Sequence, residues 1–510
     1  MRYSTNGVPD ASFDTDGIIA TKFDSSNDLS AKLLIQPDHK VITIGIEKTY
    51  TMNTLGKEFI AMSRTNPDGS LDSTFGVNGK AVSDFGQNFS KIKSAALQQD
   101  GKILISCELE VFGNPSESFL VRYNTDGSLD SNFGNNGRTT QDYLAAVLPL
   151  PGGKISIASR VFDAQNNPFL NLKRLNIDGS VDATFNNDIL VGFSGFVYGS
   201  IYSTLQPDGK IVVVASIPNQ EGKIGFYKIR YNSDGTVDPS YANGLNVFET
   251  NCLANGIFLK DDGKIYVTGK SGVYDPVNQT YFSEFLVACF DTNGNLDSNY
   301  GSAGVATSLL DNVYNSIQSV TMQPDGKFIV ALTKVEPNLA NPTPETYNIV
   351  VTRFNFEGGN DIDFGSNGTI ETSFFDGYDE AVAVALQSDN KIVLACTTNT
   401  GMNRDFGLIR FTNAILSTEN FNIDSNFNCV LFPNPTQNTL NIKFPENVGV
   451  NINKITIVNL LGQIVTEVNN KSNSYTNGPE SIDVGYLQKG IYIVLLQTNY
   501  GVWNDKFVKE

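Results

Sequence analysis

The chain has 510 residues, 40% of them hydrophobic, with a formal net charge of −18 and an isoelectric point near 4.6. That charge repels phosphate backbones and anionic lipid, so no nucleic acid is expected as a partner, while cations and neutral surfaces stay open. No apolar run reaches the roughly 20 residues that a spanning helix needs, so no transmembrane segment is expected.

The opening, "MRYSTNGVPD", is polar and is not a signal peptide. Either a leader has been removed or the chain is cytoplasmic. A phrase then begins to repeat. An Asp three residues before an aromatic recurs as Asp10/Phe13, Asp72/Phe75, Asp130/Phe133, Asp182/Phe185, Asp238/Tyr241, Asp297/Tyr300 and Asp361/Phe364. Each is followed by a "QPDGK"-like anchor ending at Lys40, Lys102, Lys154, Lys210, Lys264, Lys327 or Lys391. The mean period between Lys40 and Lys391 is about 58 residues, the length scale of a repeat architecture. A third anchor is Arg2, Arg64, Arg122, Arg174, Arg230, Arg353 or Arg410, usually followed by an aromatic, with Cys289 at the Arg position of one unit.

Each unit holds four short runs rich in β-branched and aromatic residues; in the first they are "GIIATKF", "SAKLLIQ", "KVITIGI" and "EFIAMSR". The "PDGK" between the second and third is a hairpin turn, with Pro presetting φ and Gly supplying φ > 0. Seven such units predict an all-β fold, a seven-bladed β-propeller of four-stranded blades over residues 1–412. The chain enters and leaves the pattern in the same phase, as a closed ring requires. An open β-solenoid or a string of β-sandwiches is the rival. The five cysteines, Cys107, Cys252, Cys289, Cys396 and Cys429, show no C-x-x-C spacing; four lie in or beside apolar runs, so buried free thiols are expected.

The anchors resemble the delta-60 repeat family, whose hallmark is "DGSLDxxFGxxG…LQPDGKIVVAG…RYN". The resemblance implies a propeller-like extracellular module with no established catalytic activity. The units of Asp182 ("TFNNDI") and Asp238 ("SYANGL") depart at the second Gly of "FGxxG", so their turns should differ.

After Arg410 the pattern stops, and residues 413–428 read as an Asn/Ser/Thr-rich linker. The strand-like runs of 429–510 suit a small β-sandwich. "LFPNPTQNTLNIKF", "VNLLGQIV", "YLQKGIYIVLL" and the terminal "KFVKE" resemble the type A sorting domain of the type IX secretion system of Bacteroidota. The resemblance implies recognition by the type IX translocon, removal of the domain by a surface sortase, and a secreted or outer-surface location. It also implies an upstream signal peptide, so one is expected to have been removed or truncated from this chain.

"NTDGSLDSNFG" (124–134) raises the question of calcium. An EF-hand loop carries its Gly sixth and a closing bidentate Glu; here Gly127 is fourth and no acidic residue closes the loop. Asx-turn chemistry is the main reading, with weak calcium sites in some units as the alternative and no other cofactor. A residue present in every blade serves every blade. Asp10, Asp72, Asp130, Asp182, Asp238, Asp297 and Asp361 are therefore assigned to the scaffold, accepting backbone N–H groups with help from the Arg while the aromatic packs between blades. The single histidine, His39, replaces a turn Gly and is read as exposed; one His argues against a catalytic triad or a multi-His metal site.

Function is sought where units differ. The most variable segments join the third and fourth runs and carry Tyr50, Phe112, Phe162, Tyr274, Tyr281 and Tyr347, rings that could stack on sugars or anchor a protein, or simply pack the loops. No catalytic constellation is readable. The expected function is a non-enzymatic binding module for a glycan or protein partner; the alternatives are a polysaccharide-active lyase or hydrolase and a purely structural surface component.

Overall fold

The structure is a computed structural model. It describes residues 9–411 and 429–510 except positions 15, 24–26, 50–56, 86–88, 110–116, 142–143, 164, 166, 188, 193–200, 219–223, 243–244, 249–251, 276–279, 311–313, 337–345, 375–377, 400–402, 445–451, 460–463, 470–479 and 499–500. The chain divides into two compact units, Met1–Asn413 and Ala414–Glu510.

The first unit is a ring of seven four-stranded antiparallel sheets. Blade one comprises Asn27–Ile35, Val41–Lys48, Glu58–Thr65 and Lys80–Ser83, counted from the innermost strand outward. Five blades follow at 89–141, 144–192, 201–248, 252–310 and 314–372. Blade seven takes three strands, Asp379–Leu386, Ile392–Asn399 and Arg404–Phe411, from the end of the repeat region. Its outer strand is Ile18–Thr21, paired in register from Ile18↔Ile409 to Thr21↔Phe406. Blades are thus offset by one strand from the sequence units: "GIIATKF" does not join the three runs that follow it but closes the ring. A strand edge left open exposes unpaired N–H and C=O groups, and borrowing the first strand removes that edge.

Side chains alternate along each strand, so a blade presents one apolar face to each neighbour. Seven interblade cores result. Ile42, Ile44, Ile103 and Ile105 join blades one and two; Phe13, Ile19, Val41, Val393 and Leu408 join blades seven and one. Cys107, Cys252, Cys289 and Cys396 are buried thiols among the strands, and burial pushes the Cys107 thiol up to about 12.

The second unit is a β-sandwich. A three-stranded sheet of Val430–Phe432, Thr439–Lys443 and Glu480–Asp483 faces a four-stranded one of Ile464–Asn469, Ile452–Asn459, Gly490–Thr498 and Gly501–Lys509. Leu431, Leu440, Ile442, Ile455, Ile457, Val494, Leu496 and Phe507 fill the space between them.

Candidate functional site

In a four-stranded antiparallel blade the turns after strands one and three share one end, and the turn after strand two lies at the other. The repeated motifs fall on the first end. The "PDGK" hairpin brings its Lys onto the Asp of the third turn, and the Arg at the end of strand three completes the cluster. Asp130 Oδ2 lies 2.8 Å from Lys102 Nζ and 2.8 Å from Arg122 Nε, while Oδ1 accepts the Asn132 N–H at 3.2 Å. Asp72, Asp182, Asp238, Asp361 and Asp10 repeat the arrangement, with Lys distances of 2.5–3.1 Å and Arg distances of 2.6–3.0 Å. In the sequence the Lys is an anchor at the end of a turn motif, with nothing beside it to mark the Asp as its partner.

The cluster also ties blade to blade. Arg174, Arg230 and Arg410 donate through Nη1 to the Ser233, Thr292 and Pro67 carbonyls of the next blade, at 2.8, 2.9 and 2.6 Å, and Arg122 reaches Ile177 in the same way. Each Arg lies over its own aromatic, 4.3 Å away for Phe133 and Tyr241, which gives a cation–π contact. That aromatic runs beneath the next blade's D-G turn. A Cβ on Gly127, at φ +84, would come within 2.8 Å of the Phe75 ring, so this position needs glycine twice over.

Burial works against ionisation of Asp10, but hydrogen bonds from Ser12 and Lys391 and the Arg410 charge outweigh it and hold the carboxyl at about 2. Asp72, Asp130, Asp238 and Asp361 are lowered against the same burial; Asp182 and Asp297 are lowered chiefly by Lys154 and Lys264. Unfolded, these groups hold more protons between about pH 4 and pH 2 than they do folded, so they stabilise the ring above that window and cease to do so within it. Denaturant melts at pH 6 and pH 3 should show a steep loss of propeller stability at pH 3; equal midpoints would contradict the ion-paired description.

Two units depart instructively. In blade five Cys289 replaces the Arg; Asp297 keeps Lys264 at 2.6 Å, and Tyr266 and Phe356 flank Tyr300 with centroids at 5.5 and 5.1 Å. In blade three Asn187 stands in for the missing turn glycine's peptide. Its Nδ2 donates to the Phe185 carbonyl at 2.8 Å and its Oδ1 accepts from Arg174 N at 2.8 Å, as Gly79 N and O do with Phe75 and Arg64 in blade one.

The loop of the quoted motif is closed by Asx-turn hydrogen bonds. Asp126 Oδ1 accepts from Ser128 N and Oγ at 2.9 and 2.6 Å, Asn124 Nδ2 donates to Ser128 Oγ at 3.0 Å, and Asp130 is held by its cations. Among the described residues no group of three or more acidic, His or Cys side chains is placed to hold a metal. His39 is half-buried rather than exposed, because its hairpin meets that of blade seven: Gln387 Nε2 donates to its carbonyl at 2.7 Å and Ser388 Oγ lies 3.2 Å from Nε2.

At the opposite end lie the variable segments. They join the second and third strands of a blade, not the third and fourth, because of the one-strand offset. Tyr50 and Phe112 lie outside the described residues. Tyr274 and Tyr281 are cross-strand partners on a hairpin extended beyond the blade. Phe162 and Tyr347 are half-buried and have partners within the chain. The Arg160 guanidinium lies 5.0 Å from the Phe162 centroid; Tyr347 sits 4.3 Å from Tyr378, itself covered by Arg404 at 4.1 Å. The structure therefore does not gather these six rings into one described site.

Two family models match the chain. One, described as a domain of unknown function forming a beta-propeller, matches residues 36–75, 98–133, 151–185, 206–241 and 260–300. The other, the secretion system C-terminal sorting domain, matches residues 430–510. No curated protein matches. Solved structures with a similar fold include a protein of unknown function from Dyadobacter fermentans, at 10% identity over 78% of this chain and 99% of that one with a TM-score of 0.37. PorZ, a surface component of the type-IX secretion system of Porphyromonas gingivalis, matches at 8% identity over 94% and 75% with a TM-score of 0.29. The polysaccharide lyase Uly1 matches at 10% identity over 77% and 92% with a TM-score of 0.42. No helix among the described residues is long and apolar enough to cross a membrane. The sorting domain marks the chain for the type IX secretion machinery and for secretion or outer-surface attachment. The chain is a delta-60 repeat β-propeller carrying a type IX secretion C-terminal sorting domain.

Proposed function

We propose that the exported propeller is a non-catalytic binding module that takes a glycan or protein through the end of the ring carrying its variable segments, after a sortase removes the C-terminal domain within about 413–430. The observation behind this reading is the division of labour between the two ends. At one end every blade repeats the same Lys, Asp and aromatic, and every blade but the fifth the same Arg, and these are engaged with their own or the next blade. At the other end the connections differ from blade to blade in length and composition, as binding faces of repeat proteins do.

The test is a thermal-melt panel of the full chain against polysaccharides and outer-membrane proteins, with calcium and with chelator. A ligand of the folded state raises the melting temperature by mass action. At least one member should shift the melt, with calcium making no difference and no polysaccharide being shortened. A panel that is flat throughout, or a polysaccharide cleaved at a catalytic rate, would overturn this reading.

A further inference from the structure

At the hairpin end two blades depart from the repeat's Gln, blade five with Lys260 and blade three with Leu150, and a cavity lies beside the second. In blades two and seven the Gln of "LQPDGK" bridges to the next hairpin: Gln98 Nε2 donates to Gly153 O at 3.2 Å, and Gln387 Nε2 donates to His39 O at 2.7 Å. In blade three the hairpin reads "PLPGGK", and Leu150 stands at the Gln position. Leu150 has nothing to donate to Gly209, the corresponding residue of blade four. Between the two hairpins lies a cavity of about 460 Å³, walled by Leu150, Pro151, Leu205, Pro207 and Ile211, with Lys154 and Arg174 at its polar side.

Arg174 is 15% exposed, against 9% or less for the other five repeat arginines among the described residues. Three of its five N–H donors are used, on Asp182, Ser233 and Thr184, and Lys154 spends one of three on Asp182. Among the described residues the trio of Lys154, Arg174 and Asp182 keeps one net positive charge and four unspent donors beside an apolar wall. A volume of this order accommodates a small organic molecule.

We propose that this cavity is a second binding site, separate from the variable end, and that it takes small organic acids with an apolar body and one carboxylate. The apolar body lies against Leu150, Leu205 and Ile211, and the carboxylate accepts from Arg174 and Lys154, a charge-assisted pairing that a neutral amide cannot match. The site is independent of the proposed glycan or protein ligand.

The experiment is a fluorine NMR titration of 3-(4-fluorophenyl)propionate and its neutral amide with the full chain. The acid should bind saturably and at least about tenfold more tightly than the amide. Leu150→Gln restores the residue found in other blades, puts an amide in place of the apolar wall and offers Nε2 to the Gly209 carbonyl across the gap, so it should weaken binding of the acid at least about tenfold with the melt preserved. Pro151→Trp, at an exposed position, should block the mouth without touching a hydrogen bond and serves as the control should the first variant fold poorly. No binding to wild type, equal binding of acid and amide, or full binding by both folded variants would overturn the proposal.

Discussion

Replacing Asp130 by Ala should lower the melting temperature of the propeller by several degrees while leaving ligand binding below the melt intact. The carboxylate is 3% exposed and sits between Arg122, also 3% exposed, and Lys102, 28% exposed. Its removal strands a buried guanidinium and the Asn132 N–H. Breaking a buried pair from one side costs about 3–5 kcal/mol, and the partly solvated lysine places this case near the lower figure. The same change at Asp297 should cost less, because no guanidinium is left behind in blade five. Melting curves of the two variants beside wild type check both the size and the order; an unchanged Asp130→Ala melt together with lost binding would move Asp130 from scaffold to site.

A larger effect is expected from deleting residues 1–21. The deletion removes the outer strand of blade seven, the Asp10 carboxylate that Lys391 and Arg410 share, and Phe13, wholly buried at the interface between blades seven and one. It exposes Arg404–Phe411 as an unpaired edge, a template for association, and leaves a core gap of the kind that costs about 3–5 kcal/mol for a lost aromatic. The shortened protein should melt far below the full chain and run as aggregates in size-exclusion chromatography. A monomer melting within a degree or two of the full chain would show that the ring does not depend on this closure.

Much of this architecture was legible in the sequence because it is written seven times. An Asp and an aromatic at fixed spacing, a hairpin signal and an Arg together define the blade, and their phase at Arg2 and Arg410 already pointed to closure. The offset between units and blades was not legible, since strand pairing is a long-range property: Ile18 meets Ile409 across nearly the whole repeat region. Nor was the role of the hairpin lysines, which lie 28 residues from their Asp in blade two and 34 in blade six, within a motif that turn chemistry alone explained. Asn187 shows the reverse, a departure whose consequence could be anticipated but whose remedy, a side-chain amide in place of a peptide, needed coordinates. That Tyr347 packs against a ring within the chain was not legible, because its partner, Tyr378, comes from the connection into the next blade. The Leu150 cavity was visible in principle as a missing Gln, but only the bridge seen in other blades gives that absence a meaning.

The most direct test of the whole account is hydrogen–deuterium exchange of the full chain with and without whichever polysaccharide or protein gives the largest thermal shift. Protection should concentrate in the connections between second and third strands, among them 49–57, 110–116, 276–279 and 337–345, with the "PDGK" hairpins and D-G turns unchanged. Protection confined to those hairpins and turns would contradict it, and would place the ligand on the residues assigned here to holding the ring together.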